Sequence, residues 1–308
     1  MQVLFCLVAW MDNYQGEVND KPVGGGTYIA EHGFGSEIYN FSACNKPIEM
    51  CHLDLTDEEA NLNYIPVCHG FVMIQGGDQA QMHIERLGAK KHEEYVTGVL
   101  VVWLAKHPTE GGIRVVGWYK NATVFRWFMD RQEGTPGYED RCWYNVEARA
   151  SDCVLLETYE RTHRIPRAKQ DEGGIGRSNI WYAEGEKNQA IVKQVIQYIK
   201  EFDGDCKPVL NNMTTINREE LIPIEINSRK ELQGIGEGKF VAVKEKGYRN
   251  ETWFKTVSVS NVEVVLLDMN MQVGYHVIVD FELDDKKVVI IHEDNRELGE
   301  LRGFYDKK

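Results

Sequence analysis

No apolar run in this 308-residue chain approaches the roughly 20 residues that a membrane-crossing helix needs. The longest, Val3 to Met11 and Val96 to Ala105, fall well short, and no membrane partner is expected. Cysteine occurs 7 times but never as CxxC. That odd count, without paired spacing, predicts reduced thiols and a cytoplasmic protein. The opening MQVLFCLVAWM lacks both the basic start and the small-residue cleavage site of a signal peptide, and reads as a buried strand. Basic charge is also scarce, with 35 Lys and Arg against 48 Asp and Glu, for a net charge of -13. Such a chain exerts no global attraction on nucleic acid or anionic lipid, so any polyanion must be held locally.

Several catalytic signatures are missing. Gly24 to Gly26 precede no GK[ST], and GIGEG at Gly234 to Gly238 is not framed by a strand and a helix. There is no GxSxG elbow. His276 and His292 lack the partners of an HNH site, and Asp280 and Glu282 are not followed by the ExK that a PD-(D/E)xK nuclease requires. Cys44, Cys51, His52, Cys68 and His69 are of zinc-ligating type, but their spacing forms no knuckle. No catalytic residue, metal or cofactor is therefore assigned.

What is present is an ordinary globular composition, 43% hydrophobic and 27% charged, long enough for one large domain or two smaller ones. Charge is uneven. Residues 1–105 carry five Lys and Arg against fourteen Asp and Glu, whereas 106–169 carry eleven against nine, a mildly basic island. Strands are predicted at Val3 to Trp10, Tyr64 to Gln75, Tyr95 to Lys106, Ile113 to Phe128, Trp143 to Arg149 and Cys153 to Leu156, with a hairpin turn at Gly111-Gly112. Asp54 to Glu59 suits one helical turn. Ile191, Val195, Tyr198, Ile199 and Phe202 lie at helical spacing in Asn188 to Phe202, with Gly204 as the stop. A linker with a short helix near Arg218 to Leu221 is expected next, then strands at Phe240 to Glu245, Thr252 to Val259, Glu263 to Leu267, His276 to Glu282 and Lys287 to His292.

The segment VVGWYKNATVFR, Val115 to Arg126, concentrates aromatic, amide and cationic groups on one strand. Aromatics offer a face to a base, amides read its edge, and Lys or Arg neutralises phosphate. Together with FCLVAWMDNYQG, GGGTYIAEHGFGSEIYNF, IERLGA, GVLVVWLAKHP and GRSNIWYA, this run resembles the N-terminal specificity modules of HNH and other restriction-like nucleases, similar in kind to EVE and other PUA-superfamily domains. The resemblance spans roughly residues 1–200. It implies a small PUA/EVE-like β-barrel with flanking helices over 1–204, which with the linker over 205–238 and the smaller β-rich module over 239–308 read from the strand pattern makes an α+β fold. It also implies recognition of a modified, flipped base in DNA within a restriction, defence or phage-related system. Carried onto this chain, Trp118 becomes a stacking wall with Trp10, Tyr39 and Trp181 as partners. Asn121 and Asn179 become base-edge readers, and Lys120, Arg126 and Arg177 phosphate contacts. Two departures stand out: Ala43 to Tyr64 looks inserted, and the C-terminal module lacks a nuclease signature. The competing readings are a divergent metal-dependent nuclease with its site in the C-terminal module, built on Asp280 and Glu282, and an acidic interaction or inhibitor protein whose surface contacts a protein partner.

Overall fold

The computed structural model describes the chain apart from residue 1 and segments 17–19, 26–34, 63, 77–79, 133–134, 169–172, 210–220, 226–230, 232–233, 246–251, 260–263, 269–273, 282–287, 292–296 and 308. Among the described residues the protein is a mixed α+β fold dominated by strands. The strands fall into a 10-stranded and a 7-stranded sheet.

The first sheet is built on β1 (Val3–Val8), β2 (Ala43–Pro47), β3 (Tyr64–Gly70), β4 (Tyr95–Lys106), β5 (Ile113–Asp130) and β6 (Trp143–Arg149). Shorter strands complete it: β7 (Cys153–Leu156), β8 (Arg164–Ile165), β9 (Ile180–Trp181) and β10 (Cys206–Lys207). Its main path runs β2-β3-β6-β5-β4-β1-β9. Every pairing is antiparallel except β1 with β4, which run parallel with Val3 opposite Leu100. A parallel pair cannot be joined by a tight hairpin, so the chain makes a long excursion between β1 and β4 that carries β2 and β3. The β4–β5 hairpin turns at Gly111 and Gly112, both at positive φ (66° and 77°), a conformation glycine adopts without steric cost.

Along β4, alternate side chains enter two different cores. Val99, Val101, Trp103 and Ala105 pack on one face of the sheet. Leu100, Val102 and Leu104 pack on the other, beneath the helix α1 (Glu186–Glu201). That helix presses Val195 and Ile199 onto the sheet, as its spacing predicts. It ends one residue earlier than expected, because Phe202 turns extended (ψ 120°) and packs on Trp118. Gly204 is not a left-handed cap, since it is absent from the positive-φ residues.

The second sheet contains β11 (Leu221–Ile224), β12 (Phe240–Glu245), β13 (Thr252–Val259), β14 (Val264–Asp268), β15 (Gly274–Phe281), β16 (Val288–Ile291) and β17 (Glu297–Lys307). Strand β17 pairs with β11 and β12, and also with β16. Leu221, expected to end a short helix, instead opens β11, and the rest of that expected helix lies outside the described residues. Of the nuclease pair, Asp280 sits on β15 opposite Val289, while Glu282 lies outside the described residues. No described helix is long and apolar enough to cross a membrane.

Candidate functional site

Trp118 is closed off from solvent. It is 2% exposed, lies in the core beneath α1, and meets the rings of Phe202 and Tyr198 edge-on at 5.5 and 6.2 Å. The cause lies in the backbone. Trp103 pairs with Gly117 but Leu104 pairs with Val115, so the ladder slips by one residue beside Trp118. A side chain at Gly117 would collide with the Val154 carbonyl at 2.3 Å, so only glycine admits this close approach. The slip turns the indole toward the helix, which corrects the expectation that Trp118 walls a base pocket. Arg126 is corrected as well. It is buried, pairs with Glu85, and donates from Nε to the Glu93 carbonyl at 2.9 Å. Its guanidinium holds the segment before β4 and is not free for phosphate.

The other expected residues are dispersed. Trp181 is half-buried on β9, its ring 4.7 Å from Phe5. Asn179 donates to the Met73 carbonyl at 3.3 Å, while its own carbonyl accepts from Leu7. Asn121 sits at φ 49° and donates to Asp152. Lys120 and Arg177 are exposed.

Trp10 is different. Beyond the end of β1, it bridges to Val23 through paired main-chain hydrogen bonds of 2.9 and 2.8 Å, which close the intervening chain into a loop. The Asp20 carboxylate caps that loop by accepting the N–H groups of Asp12, Asn13 and Tyr14 at 2.6, 2.6 and 3.0 Å. From beneath, the fully buried Arg161 donates to the carbonyls of Met11 and Asp12 at 2.5 and 2.7 Å. The same guanidinium lies 4.9 Å from the Trp10 ring, and His107 meets that ring edge-on at 4.8 Å. Tyr14 is held at φ 52°, and its hydroxyl donates to the Ala9 carbonyl. A non-glycine residue in that region is strained and persists only where its surroundings enforce it. These contacts frame an open cleft of about 410 Å³ lined by Trp10, Met11, Asp12, Asp20, Lys21, Val23 and Pro108. Trp10 is itself only 6% exposed, so it gives the cleft a small part of its indole, beside the exposed side chains of Asp12 and Lys21. Burial pulls the Arg161 pKa below its ordinary value, opposed by Tyr14 and Asp12, yet an arginine remains a cation at neutral pH.

A second constellation lies inside the sheet and was not foreseen from the sequence. Lys46 and Glu147, both essentially inaccessible, form a buried ion pair, with Tyr144 accepting a further bond from Lys46 at 3.2 Å. Glu147 also accepts the His52 N–H at 2.9 Å. The His69 ring stacks on Tyr144 at 4.0 Å, with its Nε2 3.3 Å from the Glu147 carboxylate. Burial lowers the His69 pKa to about 4, against the pull of Glu147, so the ring is neutral at pH 7. Burial acts to raise Glu147, but His69 and Lys46 outweigh it and hold the carboxyl at about 2. The only sequence signal was a charged residue inside the apolar strand WYNVEAR, a weak one. Of the zinc-type residues, Cys44 Sγ comes within 4.0 Å of His69 Nδ1, but no three His, Cys, Asp or Glu gather as a metal site among the described residues. Burial pushes the Cys44 and Cys51 thiols up to about 12, away from the thiolate that zinc prefers.

None of the protein-family models, curated proteins or solved structures compared with the chain matches it.

Proposed function

We propose that residues 1–204 are a PUA/EVE-like module that binds a modified, flipped base in DNA, as the specificity part of a restriction, defence or phage-related system, and that the base enters the Trp10 cleft. The observation that carries the reading is that Trp10, one of the indoles expected at a base pocket, borders an open cleft of about 410 Å³. That volume falls within the ~300–1,000 Å³ of small-ligand sites. The cleft combines part of an indole with two anionic side chains, Asp12 and Asp20, and one cationic, Lys21, on a loop pinned by Asp20 and Arg161. Flipping a base costs a few kcal/mol, and stacking at roughly 1–3 kcal/mol per base plus edge hydrogen bonds offsets it. With a net charge of -13, phosphate attraction contributes little, so affinity follows the modification and changes only moderately with salt.

The test is a binding panel of unmodified, methylated, hydroxymethylated and glucosylated duplexes against the wild type, Trp10→Ala and Asp12→Asn. One modification is expected to bind best, with about tenfold loss in Trp10→Ala. Asp12 is exposed, so its variant keeps the fold and reports on edge recognition alone. Weak, equal binding across the panel, unchanged by both substitutions, refutes the proposal.

A further inference from the structure

The loop after β5 forms another cleft, of about 540 Å³, lined by Asp130, Arg131, Tyr138, Glu139, Arg141, Cys142 and Trp143. Nothing in the base-reading proposal uses it. Three observations mark it as a site.

First, Arg131 is 5% exposed, and it donates to main-chain carbonyls, of Pro136 at 2.9 Å and His69 at 3.1 Å. Its Nε has no hydrogen-bond partner, and among the described residues it forms no ion pair with a carboxylate. Thiols and phenols surround it. A buried cation without a counter-ion is costly, and an anion brought beside it relieves that cost.

Second, the cleft holds the open end of an aromatic stack. Phe71 stacks on Phe128 at 5.4 Å and 30°, and Phe128 stacks on Trp143 at 5.9 Å and 17°. Trp143 is nonetheless 46% exposed. A flat indole left uncovered at the end of a stack is a platform for one more planar ring.

Third, the backbone is set for the purpose. Arg141 is held at φ 53°, and its exposed guanidinium has no bonded partner among the described residues. The preceding loop is anchored by Tyr39, whose hydroxyl bonds Asp140 and whose ring packs on Gly137 on one side and Gly16 on the other. Gly16 belongs to the loop that carries the Trp10 cleft, so one ring braces both loops.

We infer that this cleft binds a nucleotide, with its base on Trp143 and its phosphate against Arg141 and Arg131. The lining charges cancel, two arginines against Asp130 and Glu139, so the cleft exerts no net pull on a simple anion. It suits a ligand that carries a hydrogen-bond donor edge and a negative group together, as a nucleotide does.

The experiment titrates the full chain with 2′-deoxyadenosine 5′-monophosphate, deoxyadenosine and inorganic phosphate, following the indole resonance of Trp143 assigned by its loss in Trp143→Phe. The mononucleotide is expected to shift that resonance saturably and to bind about tenfold tighter than either part alone. Trp143→Ala and Arg141→Ala are each expected to weaken it by about tenfold, while Asp12→Asn leaves it within twofold. Both altered side chains are exposed, so folding survives, as circular dichroism will verify. No saturable shift, equal affinity for phosphate alone, or affinity unchanged in Trp143→Ala overturns the inference. Loss of DNA discrimination in Asp12→Asn with mononucleotide binding retained separates this site from the base-reading cleft.

Discussion

The interior of the β4–β5 hairpin and the rim of the same sheet use the same residue types for different ends. In the hairpin, Trp103, Trp118 and Tyr119 are essentially inaccessible and meet other rings. At the rim, Trp10 and Trp143 each border a cleft beside charged side chains. The indole is the same, and what differs is the backbone behind it. Mid-strand, where β5 is paired on both edges, side chains reach only the two cores, whereas Trp143 at the first position of β6 is left 46% exposed. Trp10, just past β1, is 6% exposed and only borders its cleft. Aromatic density along a strand is thus a poor guide to a site, and an aromatic at a strand's end is a better one.

The largest effect that sharpens this contrast is Trp118→Ala. Removing an indole that is 2% exposed and packed against Tyr198 and Phe202 should cost about 3–5 kcal/mol in chemical denaturation, from lost burial plus the cavity left behind. A loss below about 1 kcal/mol would mean that the hairpin interior is not the closed core described.

The buried pair of the same region gives the next. Glu147→Gln keeps the shape but strands Lys46 without its carboxylate, at a cost of about 3 kcal/mol. The wild type should also be acid-sensitive. His69 has a folded pKa near 4, below its ordinary 6.5, so the unfolded chain takes up the proton first. Stability is full above pH 6.5 and falls by about 3 kcal/mol as the pH drops toward 4. Glu147, held near 2, adds a loss of the same sign below its ordinary 4.5. His69→Gln should remove the portion between pH 6.5 and 4.5. Denaturation curves at pH 7, 5.5 and 4.5 with an unchanged slope in that variant would place the sensitivity elsewhere.

Much of the scaffold was legible in the sequence. Tyr95 to Lys106, Trp143 to Arg149 and Cys153 to Leu156 match β4, β6 and β7, because alternating or continuous apolar runs between turn residues leave little choice. Strand β2 was not predicted, since its residues, ACNKP, include a lysine and a proline. Its lysine is buried by pairing with a glutamate far along the chain, which no local pattern records. Strand β17, ELGELRGFYDK, was missed because alternating charge and two glycines mask its period. The site was less legible still. The slip at Gly117 and the left-handed Asn121 each reverse which face the following residues occupy, so strict alternation along VVGWYKNATVFR misassigns Trp118. The aromatic, amide and cationic residue types were visible. The backbone irregularities that decide where each one points were not.

The smallest effect belongs to the rim. Trp143→Ala removes a ring that already has 46% of its surface in water, so the burial lost is modest. Its measurable contribution to the fold is the stack on Phe128 at 5.9 Å, and such pairs contribute about 0.5–1.5 kcal/mol beyond area. The expected change in denaturation free energy is therefore about 1 kcal/mol, a fraction of that for Trp118→Ala. Phe128→Leu should reproduce most of it, because the same stack is lost from the other side. If Trp143→Ala instead destabilises as much as Trp118→Ala, the indole is acting as a core residue and the rim is no more open than the hairpin. A small stability change accompanied by a large loss of mononucleotide binding is what an indole held for a ligand would give.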